Sequence, residues 1–192
     1  MASVSAKVKI PAPVIDCRRQ RGTVLFWRGI EWATLLQNDI LNPRGDQKLK
    51  TGDDGYVAIS TAIESDFIMF PKTEVIVSPT TIDPESPQRM IVVGTLANGE
   101  VNVSSNFGGM PWNVDNFRIR GHGLIKITYD SAAKKGEIAV KSGTFEVHIL
   151  DQARNGATLI GGQKVTFERQ QLVAPCSISN ELYDWNVDIL FK

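Results

Sequence analysis

Apolar and polar residues alternate with a period of two through several consecutive segments between residues 21 and 167, and glycine-bearing turns close most of these segments. Ile125 and Ile127, for example, alternate with Lys126. Because successive side chains of a β-strand point to opposite faces of a sheet, this pattern predicts antiparallel strands with one packed and one solvated face. Helical segments of about 10–15 residues do not alternate with the strands, as a parallel α/β sheet would require. The predicted fold class is all-β, either an antiparallel β-solenoid or a sandwich-like domain.

Two further local patterns refine this prediction. The run from Phe67 to Phe70 is continuously apolar and ends at Pro71, which predicts a strand buried on both faces or nearly so. The pair Asp54-Gly55 is typical of a type I′ hairpin turn, in which both central residues need a positive φ. We therefore expect a tight hairpin at this pair.

Prolines indicate where the regular strands stop. Residues 78–89 contain three prolines among Ser, Thr and Asp, so we expect a loop that divides the β domain into two halves. Residues 1–20 are expected to form an N-terminal arm, because Pro11 and Pro13 disfavour regular pairing. The β domain itself would occupy residues 21–172.

The last part of the chain, residues 173–192, is predicted to be a C-terminal arm. It carries Leu182, Trp185 and Ile189, either on a short helix or on an extended segment that folds back. These apolar side chains favour packing on the main domain over disorder. Arms of this kind could also reach neighbouring copies and make the protein a homo-oligomer.

The charge balance argues against several classes of partner. The 192 residues include 21 Lys and Arg and 21 Asp and Glu, so the net charge is zero. Such a chain has no overall field to attract nucleic acid or an acidic membrane surface. No run reaches the roughly 18 consecutive apolar residues of a membrane span. Residues 1–10 also lack the apolar region of a signal peptide.

Two cysteines, Cys17 and Cys176, lie near opposite ends of the chain. Neither belongs to a CxxC pair, so a zinc site is not predicted. A disulfide between them would close a long loop and stabilise the fold by about 4–5 kcal/mol on the chain-entropy argument. The alternative is two unrelated buried thiols, and the sequence leaves both open.

No catalytic or metal-binding constellation is evident. His122 and His148, with Glu146, would bind a metal only if they shared one wall of the fold. Asp53 and Asp54 offer oxygen ligands, but their loop is too short for an EF-hand. Nucleophile-elbow, Walker and dinucleotide motifs are also absent from the sequence. We therefore predict a protein that is not an enzyme and needs neither metal nor cofactor.

The candidate contact site is the glycine-rich stretch 106–116. Trp112, flanked by Met110 and Pro111, is the type of exposed aromatic residue that anchors a protein or sugar partner. The alternative places Trp112 over an open end of the β core.

The order of several motifs resembles FecR-like domains over about residues 21–168. The matching segments are Gly22-Thr23-Val24, Trp32, the stretch from Lys48 to Val57 with its Thr51-Gly52-Asp53-Asp54-Gly55 turn, Pro71-Lys72-Thr73-Glu74-Val75, Gly99-Glu100-Val101, Phe117-Arg118-Ile119, Val140 to Val147 and Gly161 to Val165. The chain departs from the family at residues 123–127, where a Gly-Thr-x-Phe-x-Val strand would be usual. The cytoplasmic sigma-binding segment and membrane helix of full regulators are also absent.

This resemblance implies a non-enzymatic β-scaffold module that mediates protein contacts in the bacterial cell envelope. Its location would be periplasmic or extracellular, with the cytoplasm as the alternative. Two other functions stay open: a structural or assembly subunit of a surface layer, appendage or virion, and a carbohydrate-binding module with Trp112 as its stacking platform.

Overall fold

The computed structural model describes residues 14–41, 45–61, 65–83, 86–106, 109–150, 152–169 and 171–178. In these ranges the chain forms strands and turns and contains no helix, which confirms the all-β prediction. The strands are β1 Ile15–Arg21, β2 Val24–Trp27, β3 Trp32–Thr34, β4 Ile40–Leu41, β5 Gln47–Thr51, β6 Tyr56–Thr61, β7 Ser65–Met69, β8 Glu74–Asp83, β9 Ser86–Ser105, β10 Trp112–Val114, β11 Phe117–Asp130, β12 Lys135–Ile149, β13 Gln152–Ile160, β14 Gln163–Glu168, β15 Gln171–Leu172 and β16 Cys176–Ser177.

The strands form one continuous, mostly antiparallel sheet that folds over itself into two layers and does not close into a barrel. Layer one has the strand order β4-β1-β6-β7-β9-β11-β12-β14, with β15 and β16 beside β14. Layer two has the order β3-β2-β5-β8-β9-β10-β11-β12-β13. The long strands β9, β11 and β12 run through both layers and join them. The sandwich-like form is therefore the one adopted.

Glycines mark the places where the long strands pass between layers. In β9 the bend comes at Gly99, whose φ is +96°. In β11 and β12 it comes at the register pair Gly123 and Gly143, whose φ values are +115° and +85°. A β-bulge follows between Leu124 and Ile125. A Cβ on Gly143 would collide with the carbonyl oxygen of His122, so the crossing requires glycine there.

Aromatic pairs fill the space between the layers. Phe67 of layer one lies 5.2 Å, centroid to centroid, from Trp112 of layer two. Phe117 of layer two lies 4.8 Å from Phe167 of layer one. These four rings are buried and belong to one hydrophobic cluster. The predicted double-sided burial of the 67–70 run is also confirmed for its strand residues, since Phe67, Ile68 and Met69 are all buried.

Part of each predicted arm belongs to the sheet. Ile15 and Cys17 are buried in β1, which pairs with β4 and β6, so the end of the expected N-terminal arm is a strand of layer one. At the other end, β16 pairs with β14 within the expected C-terminal arm. Pro11 and Pro13 lie outside the described residues, as does the part of the C-terminal arm that carries Leu182, Trp185 and Ile189.

The prediction of a loop at residues 78–89 is wrong. Strands β8 and β9 pair along this region, with Thr81 opposite Ile91 and Asp83 opposite Ser86. A register shift between Ser78 and Thr81 bypasses Pro79, which has no N–H to donate to a strand ladder. A bulge thus accommodates the proline within the β8–β9 pairing.

The prediction of a hairpin at Asp54-Gly55 is also wrong. Strand β5 pairs with β2 and β8, whereas β6 pairs with β1 and β7, so this turn carries the chain from layer two to layer one. Neither residue has the positive φ of a type I′ turn. Glycine is required at 55 for a different reason: a Cβ there would collide with the carbonyl oxygen of Thr23.

Candidate protein-contact surface

The structure places the predicted contact residues Met110, Pro111 and Trp112 in the interior. Met110 is 3% exposed and Trp112 is 2% exposed. The indole packs against Phe67 and over Gly94, where a Cβ would lie 2.9 Å from the ring. The expectation of an exposed Trp112 is therefore wrong, and the alternative, a tryptophan folded over the β core, describes the structure. These side chains offer a partner neither a protein anchor nor a sugar-stacking platform on the surface.

Two other tryptophans, Trp27 and Trp32, form a half-buried pair near the surface. They lie directly opposite each other in the β2–β3 hairpin, and their ring centroids are 5.4 Å apart in an edge-to-face arrangement. The turn is closed by a hydrogen bond from the Arg28 N–H to the Glu31 carbonyl, and Ile30 at its tip is 87% exposed. We call residues 27–32 the tryptophan hairpin.

The alternation of β2 determines which way this hairpin presents its rings. Val24 is fully buried and Phe26 packs against the core. Trp27 is consequently on the outer side of layer two. There the Lys50 ammonium lies 4.0 Å from the centroid of the Trp32 ring, a cation–π contact. The surface thus combines two large aromatic rings with a positive charge.

The same end of the molecule has two open sheet edges. Among the described strands, β3 pairs with β2 alone and β4 pairs with β1 alone. Six large apolar side chains are exposed in the described part of the chain, and three of them belong to this region: Ile30 and Leu36 lie between β2 and β4, and Ile40 is the first residue of β4. Unpaired backbone groups and exposed apolar side chains therefore occur side by side.

The turn between β3 and β4 holds Leu36 in place. The Leu36 N–H donates to Asp39 Oδ2 at 2.8 Å, and the Asn38 N–H donates to the Cys17 carbonyl at 2.7 Å. Asn38 adopts φ +69°, a left-handed conformation that asparagine tolerates well. Leu36 is thus presented by an ordered turn, although it is 56% exposed.

The tryptophan hairpin could have been found in the sequence. Trp27 and Trp32 flank Arg28-Gly29-Ile30-Glu31, and a glycine between two aromatic strand residues is typical of a hairpin. The sequence pattern favoured Trp112 because the stretch around it is glycine-rich. A glycine-rich composition does not show whether the tryptophan within it is buried or exposed.

Both cysteines are free thiols, and no disulfide joins them. Cys17 is buried in β1, whereas Cys176 is exposed in β16. In layer one the strands β6, β7, β9, β11, β12 and β14 lie between them, each spacing adding about 4.8 Å. A disulfide requires Cα atoms within about 7 Å. Burial, followed by the charges of Asp39 and Asp16, raises the pKa of Cys17 to about 11.

The histidines do not form a common site. His148 Nε2 lies 3.1 Å from Glu146 Oε2, while His122 is opposite Thr144, further along the same strand pair. Within the described ranges no group of three or more His, Cys, Asp or Glu side chains could hold a metal ion. Asp54 has a local structural contact instead: its Oδ1 accepts the Thr23 N–H at 3.1 Å, and this bond lowers the pKa of the carboxyl.

A groove of about 720 Å³ opens at one end of layer one. Tyr129, which stacks on Phe167 at 6.0 Å, forms part of its apolar wall. Its charged lining is of mixed sign and includes Lys72, Lys135, Glu100 and Glu137. Burial, then Asp115 and Asp130, raises the pKa of Tyr129, which keeps the phenol neutral.

Helices capable of crossing a bilayer are absent from the part of the chain that the structure describes. No family model and no curated protein matches the sequence. Two crystal structures of a putative anti-sigma factor from Parabacteroides distasonis, at 2.50 Å and 1.65 Å resolution, resemble the fold. Their TM-scores are 0.54 and 0.53, with 9% and 10% sequence identity over 69% and 68% of this chain. The match spans 60% and 59% of those chains, so the likeness establishes a shared all-β fold over part of their length.

Proposed function

We propose that this chain is a non-enzymatic, FecR-like β module of the bacterial cell envelope, periplasmic or extracellular, which works by contacting a protein partner. The fold likeness to the anti-sigma factor structures supports this proposal, as does the order of FecR-like motifs in the sequence. The observation that carries it is the tryptophan hairpin next to the open edges of β3 and β4.

The chemistry of this surface fits a protein partner. Tryptophan and arginine are enriched among residues that dominate binding energy, and Trp27, Trp32 and Arg28 lie together here. The unpaired edge of β3 can accept backbone hydrogen bonds from an added strand. Lys50 would favour a partner segment with an acidic residue opposite it.

In vivo crosslinking tests the site. A photoreactive residue replaces Ile30 in one variant and Ile160, an exposed apolar residue on β13, in a matched control. We expect one discrete crosslinked partner from position 30 and not from position 160. The purified partner should then bind the wild-type chain directly, and Trp32→Ser should weaken that binding about 30-fold, the loss expected for a hot-spot residue.

Equal crosslinking at both positions would contradict the proposed site. So would a purified partner whose affinity is unchanged by Trp32→Ser in a variant with normal strand content.

A second function, an assembly subunit, is favoured by one observation. Leu150, Ile160 and Val173 are also exposed, and among the described strands β13 pairs with β12 alone and is the edge of layer two opposite β3. Joining β13 of one copy to β3 of the next would be a head-to-tail contact, and repetition of that contact builds a filament. Light scattering over a range of protein concentrations tests this function. A molar mass that rises with concentration in the wild type but not in Ile160→Lys supports assembly, and a constant monomer mass rejects it.

A further inference from the structure

Two arginines of β11 lie side by side on the outer side of layer two. Their neighbours in the strand, Phe117 and Ile119, are buried in the core, so Arg118 and Arg120 face away from it. Because the two arginines are two residues apart in a strand, their Cα atoms are separated by about 6.6 Å. Long side chains at this spacing can direct both guanidinium groups towards one ligand. We call these residues the arginine pair.

The charges of the arginine pair are not neutralised within the described part of the chain, where no ion pair includes either guanidinium. The acid in register with Arg120 is Glu146, but its Oε2 lies 3.1 Å from His148 Nε2 instead. Burial, followed by the charge of Arg120, lowers the pKa of Arg118 below its ordinary value. Two like charges therefore lie close together, and a bound anion would offset their repulsion.

The hydrogen bonds of the arginine pair leave particular N–H groups available. Arg118 Nε donates to Asn113 Oδ1 at 3.1 Å, which orients the side chain and leaves its two terminal nitrogens without an acceptor among the described residues. Arg120 Nε is buried and donates no hydrogen bond to the described part of the protein. A buried donor without an acceptor is costly, most of all when it belongs to a charged group. Each guanidinium thus has one edge, with N–H groups on two nitrogens, that can hold an anion.

The number of these donors indicates the class of anion. A single guanidinium edge matches the two oxygens of one carboxylate. Two edges and two positive charges match an anion that has more oxygens and carries a charge near −2. Phosphate and sulfate groups, which are tetrahedral, have both properties.

From this we infer that the arginine pair binds a tetrahedral oxyanion, a phosphate or sulfate group that is either free or part of a larger molecule. Arg118 would donate to it through both terminal nitrogens, and Arg120 through Nε and one terminal nitrogen. Glu146 limits the affinity, because its negative charge is in register with Arg120. The site is independent of the tryptophan hairpin, which lies five strand spacings away, about 24 Å.

An NMR titration of the full-length chain with sodium phosphate, at constant ionic strength, tests the site. The Arg120 Nε–H signal should shift and reach saturation. Arg118→Gln and Arg120→Gln should each weaken binding about tenfold. Arg120→Lys should weaken it to a similar extent, because lysine keeps the charge and lacks the guanidinium edge.

The matched control is Lys48→Gln, which removes one positive charge from the same outer side. Lys48 is exposed next to buried Leu49, four strand spacings from the arginine pair, about 19 Å. At this distance salt screens the charge, so the affinity should change less than about twofold.

Glu146→Gln supplies a change in the opposite direction, which a folding defect would not produce. Binding should tighten about threefold, because a repelling charge is removed. Arg118 and Glu146 are not fully buried, so their variants keep the inference testable even where Arg120→Gln does not fold.

A series of anions tests the ligand class. Sulfate should compete with phosphate, and acetate should bind about tenfold more weakly. Comparison of inorganic phosphate with phenyl phosphate distinguishes the source, since the tighter of the two shows whether the site takes a free ion or a group on a larger molecule. Shifts that do not saturate, that chloride reproduces, or that are unchanged in the arginine variants would each overturn the inference. Acetate binding as tight as that of phosphate would overturn it as well.

Discussion

Trp27 and Trp32 face each other across the β2–β3 hairpin, with ring centroids 5.4 Å apart and planes at 63°. The pair lies at an open sheet edge, and the Lys50 ammonium stands 4.0 Å from the Trp32 ring. Edge-to-face aromatic pairs stabilise by about 0.5–1.5 kcal/mol beyond the area that they bury. We expect this pairing to restrict the motion of the two rings, so that a partner of the proposed kind would lose less entropy on binding here.

The first prediction concerns the stability of this pair. Trp32→Ala should lower the free energy of unfolding by about 1–2 kcal/mol, since it removes both the ring pair and the cation–π contact. Urea denaturation measures this loss. In a double-mutant cycle, Lys50→Met should have little further effect once Trp32 is gone, and fully additive losses would show that the contact between Lys50 and Trp32 is not energetically coupled.

A second prediction concerns Trp112, the tryptophan in the core. Trp112→Ala should destabilise by about 3–5 kcal/mol, because it opens a cavity beside Phe67. Trp112→Phe should cost much less, since the buried indole Nε1 makes no hydrogen bond to lose. Thermal unfolding of the two variants decides this, and equal losses would contradict the packing described.

Thiol chemistry should distinguish the two cysteines. A thiol-specific reagent at pH 8 should modify exposed Cys176 rapidly and leave Cys17 unmodified until the protein is unfolded, because the thiolate is the reactive form and Cys17 has a pKa of about 11. Cys176→Ser should consequently abolish the fast phase. A native chain with no titratable thiol would instead indicate that the cysteines are bonded.

The raised pKa of Cys17 also has a consequence for stability. In the unfolded chain the thiol loses its proton near the ordinary value of 9.0, while the folded chain retains it to about 11. Between these values the folded state binds more protons, so stability falls as pH rises through this window. Cys17→Ala should remove this part of the alkaline loss when unfolding is measured from pH 8 to pH 11.

Asp54 should contribute to acid sensitivity in the opposite direction. The Thr23 N–H lowers the pKa of this carboxyl below its ordinary value of 3.8. The stabilisation is therefore complete above that value and is lost as pH falls below it. Asp54→Asn should flatten the acid limb of a stability curve measured from pH 5 to pH 2. The matched control is Asp53→Asn, because the neighbouring Asp53 carboxyl is exposed and forms a 3.7 Å ion pair with Lys72.

Where the sequence pattern reports a local property, the structure agrees with it. The alternation around Ile125 and Ile127 predicted a strand with one packed face, and both side chains are buried in β11. The continuous apolar run at Phe67 predicted burial on both faces, which is what β7 shows. Side-chain period depends on neighbouring residues alone, so a single sequence can report it.

Predictions that required knowledge of distant residues were the ones that were wrong. Asp54-Gly55 has the composition of a hairpin turn, yet Thr23 approaches so closely that the turn connects two layers instead. The prolines at residues 78–89 indicated a loop, but a bulge absorbs Pro79 within the β8–β9 pairing. Trp112 was predicted to be exposed because its sequence neighbours are small. It is buried because its ring packs against Phe67 and over Gly94, which are distant in the sequence.

The amino-acid sequence by itself determined that this protein is built from strands, where most of them lie and which of their side chains face inward, since these properties follow from a two-residue period. Tertiary structure alone decided which strands pair, how β9, β11 and β12 join two layers, and which tryptophans reach the surface. The physical reason is that pairing and burial depend on contacts between residues far apart in the chain, and the free energy of those contacts is not contained in any local pattern.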